Sequence, residues 1–177
     1  MTEIFMLNKK VIMSSLLIAL FSMAGIANAG IKLIKTTDGT EFTIPSSGLK
    51  GTPAEAEFLK TGKNIYVGDA EAEKRGGKRF GFWSCTQCHG PTAKGQVGPG
   101  LVGPTFKYPK DITNQGMFET IWYGTNGGMG GKGFGVMAPD DGLTADELLK
   151  IIAWVRTQGS QGVTGNEDDQ MKKFLKN

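Results

Sequence analysis

The residues of this chain best suited to metal and thioether chemistry lie in one pentapeptide. Both cysteines and the single histidine of the 177-residue sequence occur in Cys85-Thr86-Gln87-Cys88-His89. Two thiols at this spacing can add to the two vinyl groups on one edge of a porphyrin, and the next residue can place an imidazole beneath the iron. The pattern is typical of c-type haem attachment. It predicts one covalently bound haem c, attached through Cys85 and Cys88, with His89 as the proximal iron ligand.

Two other kinds of site use a Cys-x-x-Cys pair. A redox-active disulfide needs no histidine directly after the second cysteine, and it normally follows a strand. A zinc site needs four ligands, and because the chain has no further cysteine or histidine, the remaining ligands would have to be carboxylates. The sequence therefore favours haem.

The sixth iron ligand cannot be a second histidine, which leaves methionine, lysine, water or an open position. Methionine is the leading candidate, because a soft thioether favours ferrous iron. We favour Met137, in Val136-Met137-Ala138-Pro139, over Met129, because Pro139 can stiffen the backbone whereas Met129 is flanked by glycines. Met117 lies among aromatic residues and is expected in the core.

Residues that follow the motif are expected to support the proximal histidine. The carbonyl group of Pro99, in Gly98-Pro99-Gly100-Leu101, is a suitable acceptor for the ring N–H of His89 and would fix its orientation. Leu101 would then pack on the porphyrin.

An iron with two protein ligands has no open position for a substrate, so its chemistry is limited to taking and passing on one electron. A peroxidase or oxygen-handling haem would need a vacant distal site and usually a distal acid or base. No second histidine exists for that purpose. The sequence thus indicates an electron carrier and not an enzyme.

The first residues resemble a secretory signal. Lys9 and Lys10 precede an apolar stretch, and Ala27-Asn28-Ala29 fits a small-x-small cleavage site. The alternative is an uncleaved membrane anchor. We expect a signal peptide over 1–29, removed on export to the periplasm, followed by an N-terminal extended segment (30–52), a haem-binding domain (53–159) and a C-terminal tail (160–177).

Hydrophobic periodicity and capping residues predict a mainly α fold. Asp38-Gly39 between two apolar runs indicates a hairpin. Gly76 and Phe80 share one helix face, which favours close packing against the last long helix. The expected helices cover residues 54–60 after the cap Thr52, 70–83, 111–123, and from the Thr144/Glu147 capping box to about 159.

Composition restricts the possible partners. The formal net charge is only +3, and no basic stripe suggests nucleic acid. A glycine-rich loop at 124–135 lacks the preceding strand of a phosphate-binding loop. Glycines there permit close approach of the backbone to a ligand edge.

The chain resembles the cytochrome c-L family, the periplasmic partners of quinone-dependent methanol dehydrogenases, from about Phe58 to Arg156. The segments that carry the resemblance are Phe58-Leu59-Lys60-Thr61-Gly62-Lys63-Asn64, the haem motif, Gly98-Pro99-Gly100-Leu101, Tyr108-Pro109-Lys110, Phe118-Glu119-Thr120-Ile121 and Leu148-Leu149-Lys150-Ile151-Ile152-Ala153-Trp154. The haem motif by itself indicates only class I cytochrome c. Two segments narrow the resemblance from class I cytochrome c to the cytochrome c-L family. They are the tyrosine-proline-lysine segment and the phenylalanine-glutamate-threonine-isoleucine segment.

The resemblance implies a class I cytochrome c fold around one haem with histidine–methionine ligation. It also implies an electron donor, the reduced pyrroloquinoline quinone of methanol dehydrogenase, and a second c-type cytochrome as acceptor. Docking is expected at the apolar rim of the haem edge, with residues 128–134 and Lys132 as candidates. Members are typically acidic whereas this chain is slightly basic, which suits a different dehydrogenase type, such as a lanthanide-dependent one.

Overall fold

The computed structural model describes residues 30–103 and 105–159. The signal peptide expected at 1–29 and the tail at 160–177 lie outside the described residues. The described chain is mainly helical and contains one two-stranded sheet, in agreement with the predicted mainly α class. Its strands are β1 (Leu33–Ile34) and β2 (Glu41–Phe42), and its α-helices are α1 (Pro53–Thr61), α2 (Ala70–Phe82), α3 (Cys85–His89), α4 (Asn114–Tyr123) and α5 (Ala145–Thr157).

Helix α1 begins and ends where its local sequence predicts. The Thr52 hydroxyl accepts from the Glu55 backbone N–H while the Glu55 carboxylate accepts from the Thr52 N–H, and Pro53 occupies the first helical position. At the other end Gly62 adopts φ 77°, a left-handed conformation that glycine takes without steric cost. Thr144 and Glu147 form the same capping box at the start of α5.

Helices α2 and α5 cross at very close range, as the glycine in α2 predicts. A Cβ atom added to Gly76 would lie 1.9 Å from the carbonyl oxygen of Lys150. Next to this crossing the ring of Phe80 lies 4.7 Å, centroid to centroid, from that of Trp154. The apolar face of α5 is fully buried and forms the centre of the core, with Leu148, Ile151, Ile152 and Val155 at most 1% exposed.

The helix predicted from Asp111 to Tyr123 is wrong at its start. Pro109–Ile112 form a separate 3₁₀ helix, and α4 begins only at Asn114. The break is at Thr113, whose backbone is extended and whose hydroxyl accepts from the Gly116 N–H as an N-cap. The 3₁₀ helix folds back on α4 so closely that a Cβ on Gly116 would lie 2.0 Å from the Lys110 carbonyl oxygen. Asp111 therefore lies on the 3₁₀ helix and not on α4.

The predicted hairpin is present and lies against α4. Leu33 pairs with Phe42 in an antiparallel register. The backbone N–H of Ile34 donates to Glu119 Oε1 at 3.0 Å, and the Lys110 ammonium donates to both the Ile34 carbonyl at 3.2 Å and Glu119 Oε2 at 2.7 Å. The hairpin is thus fixed to both the 3₁₀ helix and α4.

In the part of the chain that the structure describes, no helix has the length and apolar character needed to cross a membrane.

Candidate functional site

The pentapeptide with both cysteines forms the short helix α3. Ser84, in a left-handed conformation with φ 59°, turns the chain out of α2, and Gly90 ends α3 at φ 76°. One helical turn brings the two cysteines to the same side. Cys85 is half-buried and Cys88 is exposed. Burial raises the pKa of the Cys85 thiol.

His89 is buried and its ring orientation is fixed by the hydrogen bond that the sequence predicts. Its side chain is 6% exposed, and Nδ1 lies 2.8 Å from the carbonyl oxygen of Pro99. Because a carbonyl oxygen can only accept, Nδ1 must carry the proton. Nε2 is then the unprotonated ring nitrogen, which is the form that ligates iron.

The loop after α3 wraps tightly around the motif. The backbone N–H of Gly98 donates to the Cys88 carbonyl at 2.7 Å, and that of Gly95 donates to the His89 carbonyl at 2.9 Å. A Cβ on Gly98 would come within 3.3 Å of both Cys88 Cβ and His89 Cε1. The loop therefore holds Pro99 and Leu101 against the histidine.

His89 opens onto two adjoining cavities, each with about 450 Å³ of space between protein atoms, part of it open to solvent. Both cavities are lined by His89, Leu101, Asp111, Thr120 and Met129. They thus form one site, bounded by α3, the loop after it, the 3₁₀ helix, α4 and the glycine-rich loop.

The inner wall of this site is apolar. Side chains from α2, α4 and α5 meet there, together with Leu143 before α5, and the residues concerned are Phe80, Met117, Ile121, Leu143, Ile151 and Val155. Met117, predicted as a core residue, is 1% exposed. Two thiols on one turn, a histidine with a free nitrogen, a methionine and this apolar wall fit a flat iron porphyrin that is shielded from water.

The structure separates the two candidate methionines. Met129 lines both cavities together with His89, whereas Met137 lines neither. The glycine-rich loop is also more ordered than its composition indicates, since Thr125 N–H donates to the Met129 carbonyl at 2.8 Å. Gly124 has φ 80°, and a Cβ there would lie 2.5 Å from that carbonyl, so its glycine fixes the turn that positions Met129.

The outer wall contains a buried acid that the sequence predicts only as the start of a helix. Asp111 is 6% exposed, and Thr120 Oγ1 donates to its Oδ1 at 2.7 Å. Burial raises the pKa of Asp111 to about 6, against the lowering effects of Thr120, Lys110 and Arg156. No local motif indicates this role, because the groups that surround Asp111 come from distant parts of the chain.

The described residues contain no cluster of three or more cysteine, histidine, aspartate or glutamate side chains that could hold a metal ion.

The chain is similar to known cytochromes. The sequence model of the cytochrome c family matches residues 61–159. Cytochrome c-L from Methylorubrum extorquens (strain ATCC 14718 / DSM 1338 / JCM 2805 / NCIMB 9133 / AM1) is 36% identical over 142 residues, which cover 78% of this chain and 68% of that protein.

Two crystal structures are similar to the present one. Cytochrome cL from the marine methylotrophic bacterium Methylophaga aminisulfidivorans MPT has a TM-score of 0.62 and 39% identity, over 72% of this chain and 80% of that chain. Cytochrome cL from Hyphomicrobium denitrificans has a TM-score of 0.62 and 36% identity, over 72% and 73%. The chain therefore belongs to the cytochrome c-L family, and it is a class I c-type cytochrome that carries covalently bound haem c and transfers electrons.

Proposed function

We propose that this cytochrome accepts single electrons from a quinone-dependent methanol dehydrogenase in the periplasm and passes them to a second c-type cytochrome. The observation that carries the proposal is how the two segments that distinguish the family resemblance meet. Lys110 of Tyr108-Pro109-Lys110 pairs with Glu119 of Phe118-Glu119-Thr120-Ile121 at 2.7 Å. Tyr108 and Thr120 from these segments line the cavity beside His89. The family-specific residues thus build the wall of the haem site.

For the haem itself we propose thioether bonds to Cys85 and Cys88 and iron ligation by His89 and Met129. The cavity lining supports Met129 in place of Met137, which the sequence favours. Pro99 keeps the histidine ring in place through its 2.8 Å hydrogen bond. Leu101 lines both cavities next to it and helps to exclude water.

This ligand set supports electron transfer over substrate turnover. When bound, the haem would supply one-electron exchange, while His89 and Met129 would ligate its iron and the inner wall would keep water away from it. A methionine ligand and a buried environment both favour the ferrous form, which suits a protein that accepts electrons.

The partner is proposed to dock where the cysteine turn reaches the surface. Cys88 is exposed, and Val97, which precedes the glycine hydrogen-bonded to the Cys88 carbonyl, is 85% exposed. Lys132 is close enough to the Cys85 thiol to lower its pKa, in opposition to burial. Val97 and Lys132 thus give this edge an apolar centre and a positive charge. We expect weak, short-lived association, because a carrier must leave after each transfer.

The test is reduction by the proposed donor. Oxidised cytochrome is mixed with purified methanol dehydrogenase, in separate calcium and lanthanide forms, and the haem absorption band is followed after methanol is added. We expect methanol-dependent reduction of the haem by at least one of the two forms. If a dehydrogenase that is active with an artificial acceptor fails to reduce the haem in both forms, the protein serves another donor.

Export is tested separately by the mass of the protein purified from the periplasm. We propose a mature chain that starts at Gly30 and carries one haem. A mass that includes residues 1–29 would indicate a retained anchor.

A further inference from the structure

Asp111 is unusual because it is a buried acid in the wall of a cofactor site, where Lys107, Tyr108 and Thr125 line the outer cavity with it and the inner cavity is mainly apolar. It lines both cavities together with His89 and Met129. A carboxylate buried in such a place loses its hydration, so the neutral form is favoured unless cations compensate. Its protonation state therefore depends on the charges that face it.

Those charges come from three elements. On the 3₁₀ helix, the Lys110 ammonium donates to Glu119 and to the Ile34 carbonyl. On α5, Arg156 donates from Nε to Asn114 Oδ1 and from Nη2 to the carbonyl oxygen of Asp111. On α4, Glu119 adds a negative charge that opposes both cations. Burial outweighs the combined effect of these charges on Asp111, and its pKa is raised to about 6.

A chain of hydroxyl groups leads from Asp111 toward the surface. Thr120 Oγ1 donates to Asp111 Oδ1 at 2.7 Å and lies 3.1 Å from Thr36 Oγ1. Because the Thr120 hydroxyl proton is directed at Asp111, Thr36 must be the donor to Thr120. Thr36 follows β1 in the hairpin and is partly exposed. The three side chains form a continuous path for a proton between the cavity wall and solvent.

We propose that the Asp111 carboxyl binds one proton when the haem is reduced and releases it through Thr120 and Thr36 when the haem is oxidised. The step balances, since one electron comes from the donor and one proton from water, and both leave on oxidation. Reduction removes one positive charge from the iron, which makes the neutral carboxyl more favourable beside it. The inference rests on the haem site proposed above, but not on the identity of the electron donor.

The experiment is a titration of the reduction potential of the purified holoprotein against pH, with chemical mediators in place of the dehydrogenase. For the wild type we expect the potential to fall as pH rises through about 6 and to be nearly constant on either side. Asp111→Asn should lose this fall. Its potential at alkaline pH should exceed that of the wild type, because the negative charge that stabilises ferric iron is gone.

Two further variants provide controls. Glu57→Gln removes a half-buried carboxylate of α1 that lines neither cavity and accepts a hydrogen bond from Thr61, and its profile should match the wild type. Thr36→Val interrupts the hydroxyl chain but keeps the Thr120 hydrogen bond to Asp111. It should leave the equilibrium profile unchanged and slow proton uptake after rapid reduction.

A spectroscopic measurement on the wild type covers the case in which Asp111→Asn does not fold. Redox-difference infrared spectra should show a protonated carboxyl that appears on reduction, and its band should shift when the protein contains aspartate labelled with heavy carbon. Propionate groups of the haem are unlabelled and would not shift. An unshifted band, or a pH profile retained in Asp111→Asn, would place the proton elsewhere and overturn the inference. Neither result bears on methanol dehydrogenase.

Discussion

Met129 owes its place in the site to the glycines around it. The sequence argument treats these glycines as a source of freedom and therefore favours Met137 beside a proline. In the structure Gly124 and Gly130 form a bridge that closes the loop, and the Met129 carbonyl is bound within it. Glycine composition alone cannot distinguish a loose loop from a tight turn, because the deciding hydrogen bonds form only in the folded chain.

Replacement of Met129 by alanine should remove the methionine–iron charge-transfer band and lower the reduction potential, because the soft ligand to ferrous iron is lost. Carbon monoxide should then bind to the reduced protein rapidly. The matched control is Met137→Ala, which should keep the band, because Met137 lines neither cavity. Loss of the band in Met137→Ala alone would restore the sequence-based assignment.

Asp111 also makes the stability of the fold depend on pH. Its pKa is raised by burial to about 6, above the ordinary value of 3.8, so the folded protein binds a proton more tightly than the unfolded chain. The contribution to stability is fully present below about pH 4 and is lost as pH rises through about 6. Asp111→Asn should therefore increase the free energy of unfolding by up to about 3 kcal/mol above pH 7 and have little effect near pH 4.

Chemical denaturation at several pH values measures this difference. Thr113→Val is a useful comparison, since it removes an N-cap next to the same turn and should cost about 1 kcal/mol at every pH. A stability difference for Asp111→Asn that does not change with pH would contradict the assigned protonation.

At the scale of elements, the crossing of α2 and α5 is the contact that closes the inner wall. It depends on the absence of a side chain at Gly76, where a Cβ would lie 1.9 Å from a backbone oxygen that cannot move away on a flexible side chain. The tightly packed cores of proteins tolerate little added volume.

Gly76→Ala should destabilise the protein by about 1–3 kcal/mol or more, because the two helices must move apart. Gly81→Ala on the same helix is the control, since no atom lies within 4 Å of its added Cβ. It should be neutral or stabilise by about 0.5–1 kcal/mol through higher helix propensity. Thermal unfolding of both variants measures the difference in stability. Equal effects would show that helix propensity, and not the close helix crossing, determines the stability change.

Helix-capping residues explain why the start of most helices could be predicted and the start of α4 could not. Thr52 and Thr144 each precede a glutamate three residues on, a local signal that the fold retains. Thr113 caps α4 without such a partner, and apolar periodicity runs through it, so the sequence predicts one helix from Asp111. The break becomes necessary only when the 3₁₀ helix folds back on Gly116.

At the scale of the molecule, the haem motif could be predicted with its supporting hydrogen bond because these residues are close in sequence. Cys85, His89 and Pro99 lie within one turn and the loop after it. The outer wall of the site, which contains Asp111 and Thr120, could not be predicted. Thr36 and Thr120 are separated by 84 positions, and only the tertiary fold brings them together.

The docking surface proposed around Val97 and Lys132 predicts a change in the rate of electron transfer without a change in reduction potential. Val97→Asp should lower the second-order rate constant for reduction by the dehydrogenase about tenfold, because an apolar contact is lost and a charge is buried at the interface. Stopped-flow mixing measures the rate. The control is Ile65→Asp, which replaces another exposed apolar residue, 51% exposed, outside the cavity lining. Equal rate losses in both variants would contradict docking at the cysteine turn.

The hairpin lies before residue 61, where the match to the cytochrome c family begins, yet it closes the wall behind Asp111. The hairpin thus helps to shield the haem site from water. If the chain were trimmed to the matched residues, water would reach Thr120 and Glu119 directly, and the acid would return toward ordinary proton affinity. This segment lies outside the residues that match the cytochrome c family, and it contacts the wall of the site without lining either cavity.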